Sequence, residues 1–249
     1  MNKFEIEKPI SGKENEKIEM YLNPKTAENF AQREKEDTEE HSVVSGVIEN
    51  IAMEIFVDKE IKMANLGAGA NPQKYEKILE KTKNGSELDW VDISPKMLEI
   101  ASKEINQSEN IHFIENNFTG YLNSKEDNSL DCVIMQYSIN YIDDIKDFFE
   151  ILSKKLNTGG AFIANLGAKS LENNKWASFL INGQEFSGRK NMVSGDHYTI
   201  KFLNPDGTVF ASTEKNFFSN KEMLSTPTLS ELKTEIKTIK GFEILIVKK

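Results

Sequence analysis

Between residues 61 and 166 the sequence alternates short apolar runs with stretches in which apolar residues recur at helical spacing. The apolar runs predict five strands, at 61–66, 88–93, 111–114, 130–136 and 161–166. Strands joined by helices favour a parallel sheet, and such a sheet is covered on both faces, so its strands are apolar throughout. The pattern therefore predicts an α/β fold: a doubly wound, mostly parallel sheet with helices on both faces.

The segment before this alternation has a different composition. Residues 1–42 are rich in charge and end in the block 33–40, which indicates a solvated helix face or a mobile arm. Apolar residues at helical spacing then predict a helix over 43–57 that packs on the core. We therefore divide the chain into a charged N-terminal helical arm, 1–42, and a single domain, 43–249.

After residue 166 the alternation ends, and residues 167–220 are predicted to form an insert or cap. Within it, Asn204-Pro205-Asp206-Gly207 predicts the turn of a β-hairpin with strands at 198–203 and 208–212. The last part of the chain is predicted to form a helix and then a strand over 242–247. The helix is predicted from the spacing of Leu229, Leu232, Ile236 and Ile239.

Composition and charge narrow the range of partners. The 249-residue chain has a formal net charge of −9, which argues against a nucleic acid as its substrate. Its one cysteine, Cys132, falls in a predicted buried strand and cannot form an internal disulfide. No apolar run approaches the ~20 residues needed to span a bilayer, and the N-terminus lacks a signal peptide's apolar stretch. We therefore expect a cytoplasmic protein with no membrane partner.

We expect no metal site in this chain. No His or Cys residues stand at the spacing of metal ligands. The acidic group Asp143, Asp144 and Asp147 is better explained as the N-terminus of a helix, where negative charge is favoured.

A glycine turn follows the first predicted strand, in the segment Asn65-Leu66-Gly67-Ala68-Gly69-Ala70-Asn71-Pro72. Gly67 and Gly69 can adopt positive φ and let a ligand approach the backbone. In open α/β sheets, ligands bind outside the carboxyl ends of the strands, where the strand order reverses beside the first strand. An ordinary strand-to-helix turn has the same pattern, so the two glycines alone leave both interpretations open.

Asp92 strengthens the interpretation as a binding site. It ends the second predicted strand, 21 residues beyond Asn71, and an acid at about this distance can accept both hydroxyls of an adenosine ribose. The alternative is that Asp92 only caps the next helix, a role that Ser94 already fits. Pro72 stands where the dinucleotide pattern G-x-G-x-x-G has its third glycine, and proline offers no N–H to a pyrophosphate. A pyrophosphate is thus poorly served, whereas an adenosine ligand with a small carboxylate and a sulfonium in place of phosphates is not so constrained.

Four segments in this order resemble the class I S-adenosylmethionine-dependent methyltransferases, particularly the branch that acts on small molecules. They are residues 63–70, 91–98, 130–137 and 156–160, and the resemblance covers about residues 43–166. It implies a Rossmann-like sheet, S-adenosyl-L-methionine as cofactor, and methyl transfer by in-line displacement. The acceptor would be an oxygen, nitrogen or carbon nucleophile of a small molecule. In this family an arm such as residues 1–42 folds over the cofactor, whereas sequence alone leaves that role open here.

The resemblance also assigns cofactor-binding positions. The glycine turn would hold the methionine part, Asp92 the ribose, and the side chains after the second and third strands the adenine. The expected cofactor-binding residues are Asn65, Gly67, Ala68, Gly69, Asp92, Ile93, Met97, Asn117, Phe118 and Gln136. Asn65 and Asn117 depart from the family, which usually has acids at both positions, so they bring no charge to a cationic ligand.

The family usually ends in two strands, whereas only 242–247 is clear here. Either the hairpin at 198–212 supplies the missing strand, or the sheet is one strand short.

The candidates for the substrate pocket are Tyr21, Tyr137, Tyr141, Trp176 and His197, and no catalytic residue is assigned. His197 lies beside the aromatic-rich insert and is the candidate general base, with a surface or hairpin-packing role as the alternative. Trp176 and Phe179, three residues apart, predict a helix that packs in the core or lines the substrate site.

Two other functions stay open. The amides Asn65 and Asn117 are compatible with a non-catalytic protein that binds the cofactor weakly or serves as a scaffold. The glycine turn and Asp92 also suit a nicotinamide-dependent oxidoreductase, which Pro72 opposes.

Overall fold

The computed structural model describes residues 21–36, 38–104, 110–166, 176–181, 184–194, 197–216 and 223–249. The α-helices are α1 (Pro24–Glu36), α2 (Thr38–Phe56), α3 (Gln73–Lys81), α4 (Pro95–Glu104), α5 (Phe118–Ser124), α6 (Ile145–Lys155) and α7 (Pro227–Ser230). The strands are β1 (Lys62–Leu66), β2 (Glu87–Asp92), β3 (Ile111–Glu115), β4 (Leu130–Met135), β5 (Leu156–Asn165), β6 (Trp176–Ile181), β7 (Gln184–Ser194), β8 (His197–Leu203), β9 (Val209–Asn216), β10 (Lys233–Ile239) and β11 (Phe242–Lys248). A 3-10 helix, Ile139–Tyr141, follows β4.

Seven of these strands form a central sheet in the order β10-β11-β5-β4-β1-β2-β3. Strands β1 to β5 pair in parallel, whereas β11 is antiparallel to β5 and β10 is antiparallel to β11. The chain winds outward from β1 through β2 to β3 and then crosses to β4 on the other side of β1. This crossing creates the switch point beside β1, and the predicted doubly wound, mostly parallel sheet is confirmed.

Helices cover both faces of the central sheet. Ile48 of α2, Ile78 of α3 and Ala101 of α4 are fully buried against one face. Leu122 of α5 and Phe149 of α6 are buried against the other. Burial on both faces explains why β1, β2 and β4 consist almost entirely of buried residues.

A second, antiparallel sheet has the order β6-β7-β8-β9. Its β8–β9 hairpin confirms the prediction made from Asn204-Pro205-Asp206-Gly207, whose turn is closed by the Asn204 N–H donating to the Thr208 carbonyl at 2.8 Å. Phe202 of this sheet packs with Phe30 of α1 and Met97 of α4 in a third cluster of buried side chains. The second sheet and α1 are therefore held near the glycine turn of the central sheet.

The predicted helix over 229–239 is wrong. Residues 233–239 form β10, which is joined to β11 by Lys240 and Gly241, with φ of 51° and 85°. Positive φ at both positions is typical of a type I′ hairpin turn, and the alternating β-branched residues of β10 favour a strand. Since β10 is the second C-terminal strand, both alternatives considered for completing the sheet are wrong.

The predicted helix containing Trp176 and Phe179 is also wrong. Both residues lie in β6, where Trp176 is opposite Arg189 and Phe179 is opposite Phe186 of β7. The helical interpretation depended on a single spacing of three residues, and pairing along the whole of β6 outweighs so short a pattern.

The predicted starts of two helices are confirmed. The Ser94 hydroxyl accepts a hydrogen bond from the Met97 N–H at 3.3 Å, at the beginning of α4. Asp144 caps α6 by accepting from the N–H groups of Lys146 at 2.9 Å and Asp147 at 3.0 Å. Cys132 is buried in β4, as predicted.

Within the part of the chain that the structure describes, no helix is long and apolar enough to cross a membrane. The same residues contain no group of three His, Cys, Asp or Glu side chains that could hold a metal ion.

Candidate functional site

The glycine turn lies at the carboxyl end of β1, at the switch point of the central sheet. Gly67 and Gly69 have φ of 69° and 71°, a conformation that side chains disfavour. The N–H groups of Gly67 and Ala68 both donate to the Val91 carbonyl, at 2.9 and 3.0 Å, which ties the turn to the end of β2. The turn is therefore fixed in place and presents its backbone to the crevice.

Asp92 joins this turn to the start of α4. One carboxylate oxygen accepts from the Gly69 N–H at 2.9 Å and the other from the Ser94 N–H at 2.9 Å. A carboxylate oxygen has more than one lone pair, so each of the two Asp92 oxygens can still accept a hydrogen bond from a hydroxyl group. Burial raises the pKa of Asp92 to about 6, against the lowering effect of the hydrogen bonds from Ser94 and Gly69, and nearby Glu34 adds to the rise.

Glu34 of α1 lies directly over the glycine turn. A Cβ atom placed on Gly69 would be 2.6 Å from a carboxylate oxygen of Glu34. Two carboxylates, those of Glu34 and Asp92, therefore meet at this turn, and their mutual repulsion is relieved when a cation binds between or beside them. This charge distribution suits a positively charged ligand and disfavours a pyrophosphate.

Other predicted cofactor residues surround the turn. Asn65 is buried in β1, and its side-chain oxygen has no hydrogen-bond partner among the residues that the structure describes. Ala68 is buried in the core, Ile93 follows Asp92 and is partly exposed, and Met97 is buried in the third cluster. The unsatisfied acceptor of Asn65 is the feature of this group that most clearly calls for a donor from a ligand.

Asn117 and Gln136 have protein partners for their side-chain oxygens. Asn117 caps α5 by accepting from the Gly120 N–H at 2.6 Å. The Gln136 oxygen accepts from the Tyr75 hydroxyl at 2.5 Å and from the Ser45 hydroxyl at 3.1 Å, and so links the end of β4 to α3 and α2. In contrast, a ring carbon of Phe118 lies 3.3 Å from where a Cβ on Gly67 would be, so this aromatic ring borders the turn.

The segment after β4 closes the crevice from the other side. Tyr137 has a φ of 60°, which is uncommon for a bulky residue, and its N–H donates to the Asn165 side-chain oxygen at 2.6 Å. The Ser138 hydroxyl donates to the Leu66 carbonyl at 2.7 Å and so ties this segment to the end of β1. Such strain is typical of functional segments, where the surrounding contacts hold it in place.

Tyr21 and Tyr141 meet at the entrance to this region. Their hydroxyl oxygens are 2.6 Å apart in a hydrogen bond, and their rings pack edge to face. Burial raises the pKa of Tyr21, the hydrogen bond to Tyr141 and the charge of Arg33 lower it, and the charges of Asp92 and Glu34 raise it further. The structure thus brings two of the predicted pocket residues together, next to the acidic turn.

The other two pocket candidates belong to the second sheet. Trp176 begins β6 and His197 begins β8, opposite Asn216 of β9. Their side chains lie outside what the structure describes, so their roles stay predictions.

Sequence reasoning missed three residues of this region. Glu34 lies in the charge block 33–40, which predicts a solvated helix face. Only the packing of α1 brings its side chain to the glycine turn. Ser138 carries no motif of its own. Lys215 of β9 lies over the Tyr141 ring, with its amine 4.2 Å from the ring centroid. A single lysine near a predicted hairpin gives no sequence signal for that position.

The fold and the site together define a class of protein. It is an α/β domain with a doubly wound sheet, whose glycine turn at the switch point is bordered by the carboxylates of Asp92 and Glu34 and is therefore acidic.

Comparison with known proteins makes this class more specific. A family model described as "Methyltransferase domain" matches residues 66–164. Over these residues the chain is similar to the methyltransferase family, in agreement with the predicted resemblance to the class I S-adenosylmethionine-dependent methyltransferases.

A curated relative shows a similarity of the same kind. This relative, malonyl-[acyl-carrier protein] O-methyltransferase 1 of Ilyobacter polytropus, is 30% identical over 141 residues. The match covers 55% of this chain and 46% of that protein, so the chain spans less than half the length of the relative.

Solved structures of low sequence identity show the same fold. A SAM-dependent methyltransferase from Aquifex aeolicus has a TM-score of 0.51 at 12% identity, over 80% of this chain and 87% of that one. An S-adenosylmethionine-dependent methyltransferase from Mesorhizobium loti has a TM-score of 0.55 at 13% identity, over 80% and 96%.

Proposed function

We propose that this chain is an S-adenosylmethionine-dependent methyltransferase that acts on a small molecule. The observation that carries the proposal is the meeting of Asp92 and Glu34 at a glycine turn with positive φ. A ligand that combines a ribose with a positively charged amino-acid tail satisfies both the hydrogen-bonding and the electrostatic character of this turn. The curated relative, whose name describes transfer to an oxygen of a malonyl group, supports an oxygen among the possible acceptor atoms.

We assign the cofactor to residues around the turn. Asp92 would accept the two ribose hydroxyls, Gly67 and Gly69 would hold the methionine part against the backbone, and Asn65 would offer its unsatisfied oxygen to a donor. Ile93 and Met97 would lie against the adenine, with Phe118 at its edge. Asn117 and Gln136 would mainly position the segments that border the cofactor, because the side-chain oxygen of Asn117 caps α5 and that of Gln136 holds the end of β4.

The bound cofactor supplies a methyl group already activated by the sulfonium. The protein's task is then to orient an acceptor in line with the methyl–sulfur bond, an effect worth several kcal/mol. Tyr137, Ser138 and Asn165 hold the segment after β4 in one conformation, and the Tyr21–Tyr141 pair lies beside it. Helix α1 covers the turn by placing Glu34 over it. A general base is needed only for an acceptor that arrives protonated, and His197 stays the candidate.

The domain organisation supports the same proposal. Helix α1, within the arm 1–42, packs on the glycine turn through the third cluster, as a cofactor lid would. The second sheet, which lies within 167–220, packs on α1 and is proposed to be the substrate-side cap. The acidic net charge of −9 supports a small-molecule acceptor over a nucleic acid, and a cytoplasmic location stays a prediction.

The direct test is methyl transfer from S-adenosylmethionine carrying a labelled methyl group, with a panel of small carboxylic acids, phenols and amines. We expect label in the product of at least one class with the wild-type chain and strongly reduced transfer with Asp92→Ala. Asp206→Ala, in the exposed β8–β9 turn, is the matched control and should behave as wild type. Cofactor binding without transfer to any acceptor would favour the non-catalytic alternative.

A further inference from the structure

Lys215 is held at the acceptor side of the proposed site by a specific contact between the two sheets. The backbone carbonyl of its neighbour Asn216 accepts a hydrogen bond from the Asn140 side-chain amide at 3.0 Å. The Asn216 side-chain amide in turn donates to the Ile142 carbonyl. These reciprocal bonds fasten the end of β9 to the 3-10 helix that follows β4. The position of Lys215 beside Tyr141 is therefore built into the fold.

The amine of Lys215 has an aromatic face on one side and, among the described residues, no counterion. It lies 4.2 Å from the centroid of the Tyr141 ring, a favourable cation–π distance. Among the residues that the structure describes, no carboxylate or other acceptor forms a hydrogen bond or ion pair with it. A partly buried ammonium without a carboxylate is costly, which is the usual reason that buried charges are paired.

A second positive charge lies close to the first. Burial and, to a smaller extent, the charge of Arg33 together lower the pKa of Lys215 to about 7. Both effects act in the same direction, because each disfavours the protonated amine. An anion bound beside Lys215 would favour the protonated amine and so oppose both effects.

The charges of the site are thus divided between its two sides. Asp92 and Glu34 lie at the glycine turn, whereas Lys215 lies in β9 of the second sheet, where the charge of Arg33 acts on it. The Tyr21–Tyr141 pair stands between them, since Tyr21 is influenced by Asp92, Glu34 and Arg33 while Tyr141 carries Lys215 on its ring. A cationic cofactor fits the first side, and an anionic acceptor fits the second.

We infer that Lys215 is a specificity-determining residue that binds a carboxylate of the methyl acceptor. That the bound anion is the methyl acceptor rests on the proposed function. Binding of an anion at Lys215 can itself be measured without turnover. A lysine acts here as a point charge with three donors, which suits a single carboxylate group.

The test is titration calorimetry of the full chain with matched acids and neutral amides. The probes are acetate, phenylacetate and octanoate, each compared with acetamide, phenylacetamide or octanamide, with and without S-adenosylhomocysteine. The variants are Lys215→Met, which keeps the length without the charge, and Lys215→Arg, which keeps the charge. Lys201→Met removes an exposed lysine from the neighbouring strand β8 and is the control.

We expect at least one acid to bind the wild-type chain tenfold or more tightly than its amide. Lys215→Met should abolish this preference, Lys215→Arg should retain affinity within threefold, and Lys201→Met should leave it unchanged. Equal binding of every acid and its amide, or an undiminished preference in Lys215→Met, would overturn the inference.

Failure of the proposed function has a different signature. If S-adenosylhomocysteine does not bind the wild-type chain, the assignment of the cofactor fails, whereas the acid titrations without it still decide the anion site. Lys215→Met should bind S-adenosylhomocysteine as tightly as wild type, because Lys215 lies on the acceptor side. Its melting temperature should not fall, since the substitution removes a partly buried charge.

Discussion

Asp92 carries two roles that would normally conflict, because it organises the backbone and is proposed to bind the ribose. Its oxygens hold Gly69 and Ser94, so removal of the carboxylate affects both the turn and the start of α4. Ser94 still caps α4 through its own hydroxyl, which limits the damage to the fold. The ligand contact should therefore be lost more completely than the structure.

Asp92→Ala should weaken S-adenosylhomocysteine binding by about 1–3 kcal/mol, or roughly 5- to 150-fold, because charge-assisted hydrogen bonds to the ribose are lost. Titration calorimetry measures this change, with circular dichroism as the check on folding. Asp92→Asn, which keeps the size and one acceptor oxygen, should lose less. An unchanged affinity in Asp92→Ala would remove this residue from the site.

The raised pKa of Asp92 makes cofactor binding depend on pH. With a pKa of about 6, the carboxyl of the free protein becomes protonated as the pH falls through 6, so affinity for a cationic cofactor should decrease below that value. The sign for stability is opposite: a raised pKa of an acid favours the folded state at low pH, and this contribution is lost as the pH rises through about 6. Affinity measured from pH 5 to 8 should show the decrease in wild type and a flat profile in Asp92→Asn. A flat wild-type profile would contradict this account.

Lys215 should affect stability with a pH dependence of its own. Its pKa of about 7 lies below the usual lysine value, so the folded state binds fewer protons between these values, and stability rises with pH across that interval. Lys215→Met should therefore melt about 2–4 °C higher than wild type at pH 7 and below, and the difference should shrink toward pH 10. Scanning calorimetry at several pH values tests this, and a lower melting temperature for the variant at pH 6 would count against it.

Among the secondary-structure elements, the β1–α3 connection is the one most constrained by space. A Cβ on Gly67 would lie 2.6 Å from the Ser138 Cβ, which belongs to a fixed segment. A Cβ on Gly69 would meet only the end of the flexible Glu34 side chain. The two glycines share a positive φ but differ in how far their surroundings can move.

Gly67→Ala should destabilise the protein by about 2–4 kcal/mol, from backbone strain plus overpacking, whereas Gly69→Ala should cost about 1–2 kcal/mol. Gly46→Ala, in the middle of α2 with no atom within 4 Å of a Cβ, should stabilise by about 0.5–1 kcal/mol and is the control. Urea unfolding gives all three values. Equal costs at Gly67 and Gly69 would show that Ser138 yields as easily as Glu34.

Most of the central sheet could be predicted from the sequence because parallel strands buried on both faces leave a continuous apolar signal. β10 gave no such signal, since it is an edge strand whose residues are largely partly exposed, and the spacing of its isoleucines imitates a helix. The site divides in the same way. Gly67, Gly69 and Asp92 lie in local motifs, whereas Glu34 and Lys215 reach the site only through the packing of α1 and β9.

Across the whole molecule, α1 connects the two sheets over the crevice. Phe30 packs on Phe202 of the second sheet with ring centroids 5.0 Å apart, and on Tyr21 at 5.3 Å. These contacts place Glu34 over the glycine turn and Tyr21 against Tyr141. Loss of the Phe30 ring should therefore loosen the lid without unfolding the central sheet.

Phe30→Ala should increase hydrogen exchange in residues 24–36 by tenfold or more, because a buried aromatic anchor is removed. Exchange in β1 and β4 should stay unchanged, and cofactor affinity should fall as water enters the turn. Leu22→Ala is the control, because Leu22 lies just before the N-terminus of α1 and its side chain is 43% exposed. This substitution should change neither the hydrogen exchange nor the cofactor affinity. Equal exchange in wild type and Phe30→Ala would show that α1 is held by other contacts.

The central claim is that the crevice at the glycine turn binds a cationic adenosine ligand through Asp92. The most direct measurement is the melting temperature of the full chain with saturating S-adenosylmethionine, S-adenosylhomocysteine or NAD, since a ligand that binds only the folded state raises it. We predict stabilisation by the first two and none by NAD, with both shifts lost in Asp92→Ala. Stabilisation by NAD alone would contradict the account, and so would the absence of a shift with all three ligands.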